Sequence, residues 1–214
     1  HILHISTAKE VELFENNKPL VDKRITAEAC IHHLWFSDED YEEKQSLIKW
    51  NPAVKTKSDR AAVLQGLLDD KIDILATDHA PHTKEEKQGK YFDAPSGGPL
   101  VQHALVAVLE MVQQGKLSLG KAVEKLCHAP AQCFNINKRG YIKAGYFADL
   151  VLVNLNNPWQ VSPSNIMYKC GWSPFEGTSF KAKVDSTFVN GSLVYKNGTI
   201  LEENRSSQSL SFNN

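Results

Sequence analysis

A carboxylate and two imidazoles follow directly after a short apolar run of the sequence. Residues 72–77 are rich in branched side chains, which is typical of a buried strand, and the segment Asp78-His79-Ala80-Pro81-His82 comes next. The carboxyl ends of parallel strands are where α/β proteins place ligands and catalytic groups. We therefore interpret this segment as a candidate site. The alternative is an aspartate that caps a turn beside two solvated histidines.

Two further histidine positions follow predicted strands earlier in the chain. Residues 1–6 and 24–30 are predicted strands, with His4 near the end of the first and His32-His33 after the second. Imidazole and carboxylate groups bind zinc, and a carboxylate beside such an ion can accept a proton from water whose pKa the metal lowers to about 7. The three strand ends therefore predict a hydrolytic metal site. Neighbouring residues of a strand face opposite sides, so His32 and His33 could not both bind one ion without a bend.

Two loops carry groups that could contact a substrate. Asn51-Pro52 precedes a predicted helix, and the same dipeptide is also typical of a plain turn. The segment Ala94-Pro95-Ser96-Gly97-Gly98-Pro99 exposes backbone amides that could bind an anionic or amide-rich ligand. Its alternative role is that of a linker.

Strands and helices alternate through the first part of the chain. Helices are predicted at residues 8–16 after the N-cap Thr7, in a short acidic segment from Ser37, and at 58–69, 100–114 and 119–128. In the helix at 58–69 the expected cap is Ser58, and the predicted apolar side consists of Ala62, Leu64, Leu67 and Leu68. Such alternation predicts right-handed crossovers and a parallel sheet. Three units are too few for an eight-stranded barrel, which needs about 250 residues.

The character of the sequence changes near Arg139-Gly140. Short strands are predicted from there on, at residues 149–154, 180–184, 186–189 and 192–196. Asn190-Gly191 is a strong signal for a two-residue hairpin, and Asn197-Gly198 marks another turn. The polar residues 204–214 are expected to form a mobile tail.

The composition is that of an ordinary globular protein. The 214 residues carry a net charge of −1 and are 42% hydrophobic, which gives no electrostatic case for binding nucleic acid or a membrane surface. The four cysteines have no CxxC spacing, so we expect reduced thiols in a cytoplasmic protein. Because the chain opens on a strand-like segment without Met, we expect it to be the C-terminal piece of a longer protein.

The motif at residues 78–82 resembles the signature of dihydroorotases, within the metal-dependent amidohydrolase superfamily. Other segments agree with that family in order and spacing: His1-Ile2-Leu3-His4-Ile5-Ser6-Thr7, Asn51-Pro52, and residues 26–34, 94–97, 145–154 and 172–177. The resemblance implies an α/β fold that holds the C-terminal half of the family's architecture. About strands six to eight of a TIM-type (β/α)8 barrel would occupy residues 1–138, part of a small β-sandwich 139–203, and a polar tail 204–214.

The resemblance also implies roles for the matching residues. The zinc ligands would be His4 and Asp78, at the ends of barrel strands six and eight. Asp78 would also be the catalytic proton acceptor for the attacking water, and His82 would bind the substrate carboxylate. The contacts to the dihydropyrimidine ring would come from Asn51, Pro95, Ser96 and Gly97. No ligand role is carried over to His32 and His33.

Several family residues are missing from this chain. The strand-one H-x-H pair, the carboxylated Lys, the strand-five His and a substrate-binding Arg would all precede His1, and Ser96 replaces a bulkier residue. The implied protein is a zinc-dependent dihydroorotase with one or two Zn²⁺ ions, considered as a homodimer. It would interconvert N-carbamoyl-L-aspartate and L-dihydroorotate in pyrimidine biosynthesis, and these 214 residues alone would be inactive.

Two alternatives stay open at this point. The first is a hydantoinase- or allantoinase-type cyclic amidohydrolase, and His82 distinguishes it because a substrate carboxylate needs a cationic or donor group there. The second is a non-catalytic dihydroorotase-like domain that binds a partner enzyme. The sequence upstream of His1 distinguishes this second alternative, since a non-catalytic domain would lack the H-x-H pair.

Overall fold

A computed structural model describes residues 1–204 and 206–213 of the chain, which form two compact units. The first unit comprises His1–Val108 and Gln160–Thr178, and the second comprises Leu109–Trp159 and Ser179–Asn214. The domain boundary predicted after residue 138 stays a prediction. Residues 109–138 group with the small sheet, and residues 160–178 return to the first unit.

The first unit is built on parallel strands, as the alternating pattern predicts. Strands β1 (Glu28–Cys30) and β2 (Ile74–Ala76) pair in parallel, with Ala29 opposite Leu75. A parallel bridge between Ile2 and Ala27 adds the first segment of the chain on the other side of β1. All three strands are shorter than predicted, and residues 1–6 contribute only this bridge. His4 has a φ of 41°, which an extended strand cannot accommodate.

Helices α1 (Ala8–Val11) and α4 (Lys57–Leu68) follow the first and second strand segments. Thr7 caps α1 as predicted, and its hydroxyl accepts from the Glu10 amide at 3.2 Å. The cap of α4 is Thr56 and not the predicted Ser58, because Thr56 Oγ1 accepts from the amide of Asp59 at 3.2 Å. The prediction of Ser58 was therefore wrong by two positions.

The buried side of α4 also differs from the prediction. It consists of Val63, Gly66 and Leu67, whereas the predicted Ala62, Leu64 and Leu68 are only partly buried. A Cβ at Gly66 would lie 2.6 Å from Cγ1 of Val11, so the helix packs on α1 through its glycine. The close approach of the Val11 side chain to the Gly66 backbone turns the buried face toward Gly66, which a count of apolar residues does not detect.

A helix that the sequence did not predict follows β1 at once. Helix α2 (Ile31–Trp35) carries both His32 and His33, and its first four residues are buried. The strand-based argument about these two histidines was therefore wrong. The predicted acidic segment is present, as a 3₁₀ turn at Asp38–Asp40 capped by Ser37 and then α3 (Tyr41–Lys44), followed by a second 3₁₀ turn at Gln45–Ile48. A further 3₁₀ turn, Leu20–Asp22, precedes β1.

Helix α5 (Val101–Gln113) follows Pro99 as predicted. The single helix predicted at 119–128 is instead α6 (Leu119–Val123), a π-helical turn (Glu124–His128) and α7 (Ala129–Cys133). Pro130 lies at the start of α7, where its missing N–H is least costly. The helical path therefore continues past the predicted end, and the wider turn precedes the proline.

The second unit contains a four-stranded antiparallel sheet in the order β3-β6-β7-β8, comprising Leu150–Asn154, Lys183–Val189, Ser192–Lys196 and Thr199–Ile200. Asn190 and Gly191 have φ values of 49° and 83°, as a type I′ hairpin turn requires. β6 is one continuous strand where two were predicted. Phe180 belongs to the separate short strand β5 (Ser179–Phe180), and β4 is Trp159–Gln160. The other layer of the predicted β-sandwich stays a prediction.

Short 3₁₀ turns complete the described elements at Pro163–Asn165 and Glu202–Asn204. Positions 205 and 214 of the predicted mobile tail lie outside the described residues. Within the tail, Phe212 bridges Ile136, and the amide of Asn213 donates to the Asn135 carbonyl at 2.8 Å. This part of the tail is therefore paired to the chain after α7. Among the described helices none has the length and apolar character needed to cross a membrane.

A pH-dependent stability follows from the buried His103 of α5. Its Nδ1 lies 3.0 Å from the Ser173 hydroxyl, and burial lowers the pKa of His103 from 6.5 to about 4. The unfolded chain then binds more protons between these two values. The contribution of His103 to the free energy of unfolding is therefore fully present above pH 6.5. It falls by on the order of 3 kcal/mol as the pH falls toward 4.

We expect the stability difference between wild type and His103→Gln to shrink over that same pH window. Urea unfolding of both proteins, expressed from the complete reading frame at pH 7, 5.5 and 4.5, measures this difference. A difference that stays constant with pH would contradict the assignment.

Candidate active site at the ends of the parallel strands

His4 and Asp78 both lie where a parallel strand segment ends. The carboxyl ends of neighbouring parallel strands meet at one edge of the sheet, and β2 is followed directly by Thr77 and Asp78. Both residues have left-handed backbones, with φ values of 41° for His4 and 49° for Asp78. Such values are uncommon outside glycine, cost energy, and concentrate at functional sites. Six other non-glycine residues of the described chain also have a positive φ, and His4 and Asp78 are the two of the eight that follow parallel strand segments.

Glu28 on β1 links His4 and Asp78 electrostatically. Burial raises the pKa of Glu28 and the negative charge of Asp78 adds to the rise, while a hydrogen bond from the His4 backbone to the Glu28 carboxylate opposes it. Burial and the charges of Glu28 and Asp78 likewise raise the pKa of the Cys30 thiol. Asp78 therefore lies close enough to Glu28 and Cys30 for its charge to act on both. Sequence reasoning missed Glu28, although it lies two residues before the end of the predicted strand.

The predicted metal ligands of this chain are His4 and Asp78, and they stay a prediction. Within residues 1–204 and 206–213 no group of three or more His, Cys, Asp or Glu side chains could hold one ion. His4 and Asp78 are the right types of ligand for zinc, but two ligands are fewer than the three that a catalytic zinc site takes from protein. The described residues alone therefore do not form a metal site.

The motif at residues 78–82 and the predicted binding loop at 95–97 are in direct contact. Nε2 of His82 lies 3.0 Å from the Ser96 carbonyl, so Nε2 carries the proton and donates it. The Ala80 amide donates to the Gly98 carbonyl at 3.3 Å. On its other side His82 faces Glu86, with Nδ1 3.7 Å from Oε2. Two segments that the sequence proposed separately thus form one surface.

Asn51 is held near the same loop through Lys49. The Gly97 amide donates to the Lys49 carbonyl at 2.9 Å, and Nζ of Lys49 donates to the carbonyls of Tyr91 and Ala94 at 2.7 and 2.5 Å. Asn51 itself is exposed and follows two residues later, and its bond to Pro52 is cis. The Asn51 side chain is therefore free to face a ligand.

His32 and His33 contact the two residues that flank Asn51. Nε2 of His33 lies 3.1 Å from the Pro52 carbonyl, and burial lowers the pKa of His33 to about 4. The His32 ring stacks on Trp50, with centroids 4.4 Å apart and planes 14° apart. Burial also lowers the pKa of His32 well below its usual value. Both histidines are therefore neutral, and they contact the residues on either side of Asn51: His32 the Trp50 ring and His33 the Pro52 carbonyl.

Two further residues of the motif region have structural roles. Nδ1 of His79 accepts from the amides of Leu100 and Val101 at 3.0 and 3.3 Å and so caps the start of α5. The indole N–H of the buried Trp172 donates to the His82 carbonyl at 2.8 Å. The sequence singled out both segments but could not assign these contacts, which join residues far apart in the chain.

A cavity of about 510 Å³ opens beside the motif. It is lined by His79, Pro81, His82, Thr83, Glu86, Met167, Tyr168, Lys169 and Cys170. Its volume is in the range of small-molecule sites, which run from about 300 to 1,000 Å³. The ring of His82 therefore borders a space that a small ligand can fill.

The fold and the strand-end site define an α/β protein with an amidohydrolase arrangement. Residues 2–194 match the amidohydrolase family, and the chain belongs to that family. It is 38% identical over 197 residues to the dihydroorotase of Endomicrobium trichonymphae, covering 92% of this chain and 46% of that protein. It is 38% identical over 202 residues to the dihydroorotase of Acetivibrio thermocellus, covering 94% and 47%. The predicted resemblance to dihydroorotases is confirmed.

The structure agrees with this assignment. The solved L-hydantoinase (dihydropyrimidinase) from Arthrobacter aurescens superposes with a TM-score of 0.83 at 27% identity, covering 93% of this chain and 45% of that one. The mixed α/β fold is thus that of the amidohydrolase superfamily, whose fold is of the TIM-barrel type. The chain spans about half the length of the relatives that it matches.

Gly97 tests the contact between loop and motif. Its φ of 117° is one that side chains rarely adopt, and a Cβ there would lie 2.5 Å from the Ala80 carbonyl oxygen. We expect Gly97→Ala to push the loop away from the motif. In the enzyme expressed from the complete reading frame, kcat/KM should fall by about 10- to 100-fold. Gly89→Ala is the control, because its φ is 103° but nothing lies within 4 Å of a Cβ there. Equal losses in the two variants would show that backbone strain alone matters.

Proposed function

We propose that this chain is part of a zinc-dependent dihydroorotase that interconverts N-carbamoyl-L-aspartate and L-dihydroorotate in pyrimidine biosynthesis. The observation that carries the proposal is the direct contact of His82 with the Ser96 carbonyl, at 3.0 Å, in a chain 38% identical to named dihydroorotases. Residues 1–138 would supply about strands six to eight of the barrel. We propose a cytoplasmic protein, for which a homodimer is the oligomeric state considered. These 214 residues alone would be inactive.

His4 and Asp78 would contribute two ligands to one or two Zn²⁺ ions, with the other ligands coming from outside this chain. Zinc, when bound, makes water a stronger acid and polarises the amide carbonyl. Asp78 would accept the proton from the attacking water and return it to the amide nitrogen that leaves. The left-handed backbone of Asp78 supports this role, because it turns the residue out of the line of β2.

His82 would bind the substrate carboxylate. Its Nε2–H is already committed to the Ser96 carbonyl, so a substrate carboxylate would meet Nδ1. Nδ1 lies 3.7 Å from the Glu86 carboxylate, and it can donate to a carboxylate only when both ring nitrogens carry a proton. Asn51 and the backbone of residues 95–97 would contact the amide groups of the dihydropyrimidine ring.

One other function has an observation in its favour. A hydantoinase- or allantoinase-type amidohydrolase fits the structural likeness to the Arthrobacter hydantoinase. A non-catalytic dihydroorotase-like domain that binds a partner enzyme stays the other alternative. Turnover assays with dihydroorotate, dihydrouracil and hydantoin, on protein expressed from the complete reading frame, separate the three.

Replacing Asp78 tests the proton acceptor. Asp78→Asn keeps the size of the side chain but removes its basicity, so we expect the hydrolysis rate to fall by about 10²- to 10⁴-fold. Zinc content is measured on the same sample, because the substitution also weakens a metal ligand. A variant that retains both its metal and near-wild-type turnover would mean that another group is the base.

Replacing His82 tests the choice of substrate. A donor paired with a carboxylate contributes about 1.5–3 kcal/mol, so His82→Ala should lower kcat/KM for dihydroorotate by about 10- to 100-fold. Dihydrouracil is the same ring without the carboxylate and should be affected much less. If both substrates lose the same factor, His82 does not bind the carboxylate and the hydantoinase-type alternative gains. His128→Ala, in the other compact unit, is the control variant.

A further inference from the structure

A buried ammonium group lies behind the proposed substrate-binding loop. Lys87 is 1% exposed, and its Nζ donates to the carbonyls of Pro95 at 2.8 Å, Gly97 at 2.8 Å and Lys49 at 3.2 Å. An ammonium group has three protons and no acceptor, so these three bonds use its full hydrogen-bonding capacity. Burying an ammonium group without hydrogen-bond partners would cost much free energy, so the three carbonyl contacts are what allows Lys87 to be buried.

The backbone of Lys87 is fixed at the same time. Its amide donates to the Thr83 carbonyl at 3.2 Å, and its carbonyl accepts from the hydroxyl of the buried Ser46. The turn is closed by Glu86, whose carboxylate accepts from the Thr83 amide at 2.8 Å. Thr83 directly follows His82, so the root of the Lys87 side chain is tied to the motif.

The side chain of Lys87 thus joins three segments of the candidate site. Its backbone amide is hydrogen-bonded to Thr83, which follows His82, and two of its Nζ hydrogen bonds go to the loop at 95–97. Its third Nζ hydrogen bond goes to Lys49, two residues before Asn51. Burial and the neighbouring Lys49 charge lower the pKa of Lys87 to about 8, while three carbonyl acceptors favour its charged form. With all three protons engaged and almost no exposure, the amine is not placed to react with a substrate.

We propose that Lys87 is a positioning residue that sets the loop at 95–97 against Asn51 and His82, and so determines substrate affinity without touching the substrate. The inference about affinity rests on the proposed function. The inference about loop position does not, because it follows from the three carbonyl contacts alone.

Three variants test the proposal in protein expressed from the complete reading frame. Lys87→Met removes all three donors, and Lys87→Gln retains two N–H groups and disturbs folding less. Lys90→Met makes the same chemical change at an exposed lysine three residues away and is the matched control. Amide exchange of the Gly97 N–H, which donates to the Lys49 carbonyl, is followed without substrate by mass spectrometry of peptides covering residues 94–98.

We expect the Gly97 amide of Lys87→Met to exchange at least about 10-fold faster, with a smaller increase in Lys87→Gln and none in Lys90→Met. The KM for dihydroorotate should rise by about 10-fold in Lys87→Met, with zinc content unchanged. A role limited to general stability would instead lower the fraction of active enzyme, and therefore the apparent kcat, while KM stays constant.

Unchanged exchange and unchanged KM in Lys87→Gln would overturn the proposal, even if Lys87→Met fails to fold. A fall in kcat at constant KM, without faster local exchange, would overturn it as well. If the wild-type protein does not hydrolyse dihydroorotate, the proposed function fails. The exchange measurement, which needs no substrate, then still decides whether Lys87 positions the loop.

Discussion

The candidate site is made of loops without regular secondary structure, so side chains must satisfy its backbone groups. Residues 77–100 contain no helix or strand, yet they pass close to the core of the first unit. Unpaired backbone groups at such depth cost about as much as a lost hydrogen bond each. Lys87, Lys49 and His82 donate to loop carbonyls, and His79 accepts from the amides that begin α5. These side-chain hydrogen bonds satisfy the loop backbone, as hydrogen bonds from a neighbouring strand satisfy the backbone of a sheet.

The same loops rest on a tightly packed aromatic layer. Trp50 and Trp172 are fully buried, and a Cβ at Gly98 would lie 2.9 Å from the Trp50 ring. Phe36 belongs to the same layer, with its ring centroid 6.0 Å from that of Trp50. Because such packing leaves little room to relax, the segments before Asn51 and after Gly97 have few alternative positions. The aromatic layer therefore limits where the loop segments can lie, while the polar contacts determine which backbone groups pair.

Much of the fold could be predicted because local patterns determine it. The apolar run at 72–77 and the Asn190-Gly191 turn each have a short-range signal, and both were confirmed as strand and hairpin. Helix α2 had none, because its sequence begins with the β-branched Ile31 directly after a strand. The cap of α4 was misplaced by two residues because two hydroxyl residues, Thr56 and Ser58, compete there, and only the folded backbone decides between them.

The candidate site divides in a similar way. Asp78, His82 and His4 stand out in sequence because their types and strand-end positions carry chemical meaning. Lys87 and Glu28 do not, since a lysine in a polar loop and a glutamate at a strand start are ordinary surface residues in most proteins. Their importance comes from burial, which only the tertiary structure creates.

Burial also separates the charges around the site. The charge of Asp78, just after β2, raises the pKa of Glu28, whereas the ammonium groups of Lys49 and Lys87 bind carbonyl oxygens of residues 91–97. Between them His32 and His33 have lowered pKa values and stay neutral at pH 7. A neutral imidazole can hold a fixed proton toward a carbonyl, as His33 does toward Pro52, without adding charge to a buried region. In the candidate site Asp78 and Glu28 supply the negative charge beside the parallel strands, where a metal and a proton acceptor are proposed. The buried ammonium of Lys87 instead holds the backbone that would contact the substrate.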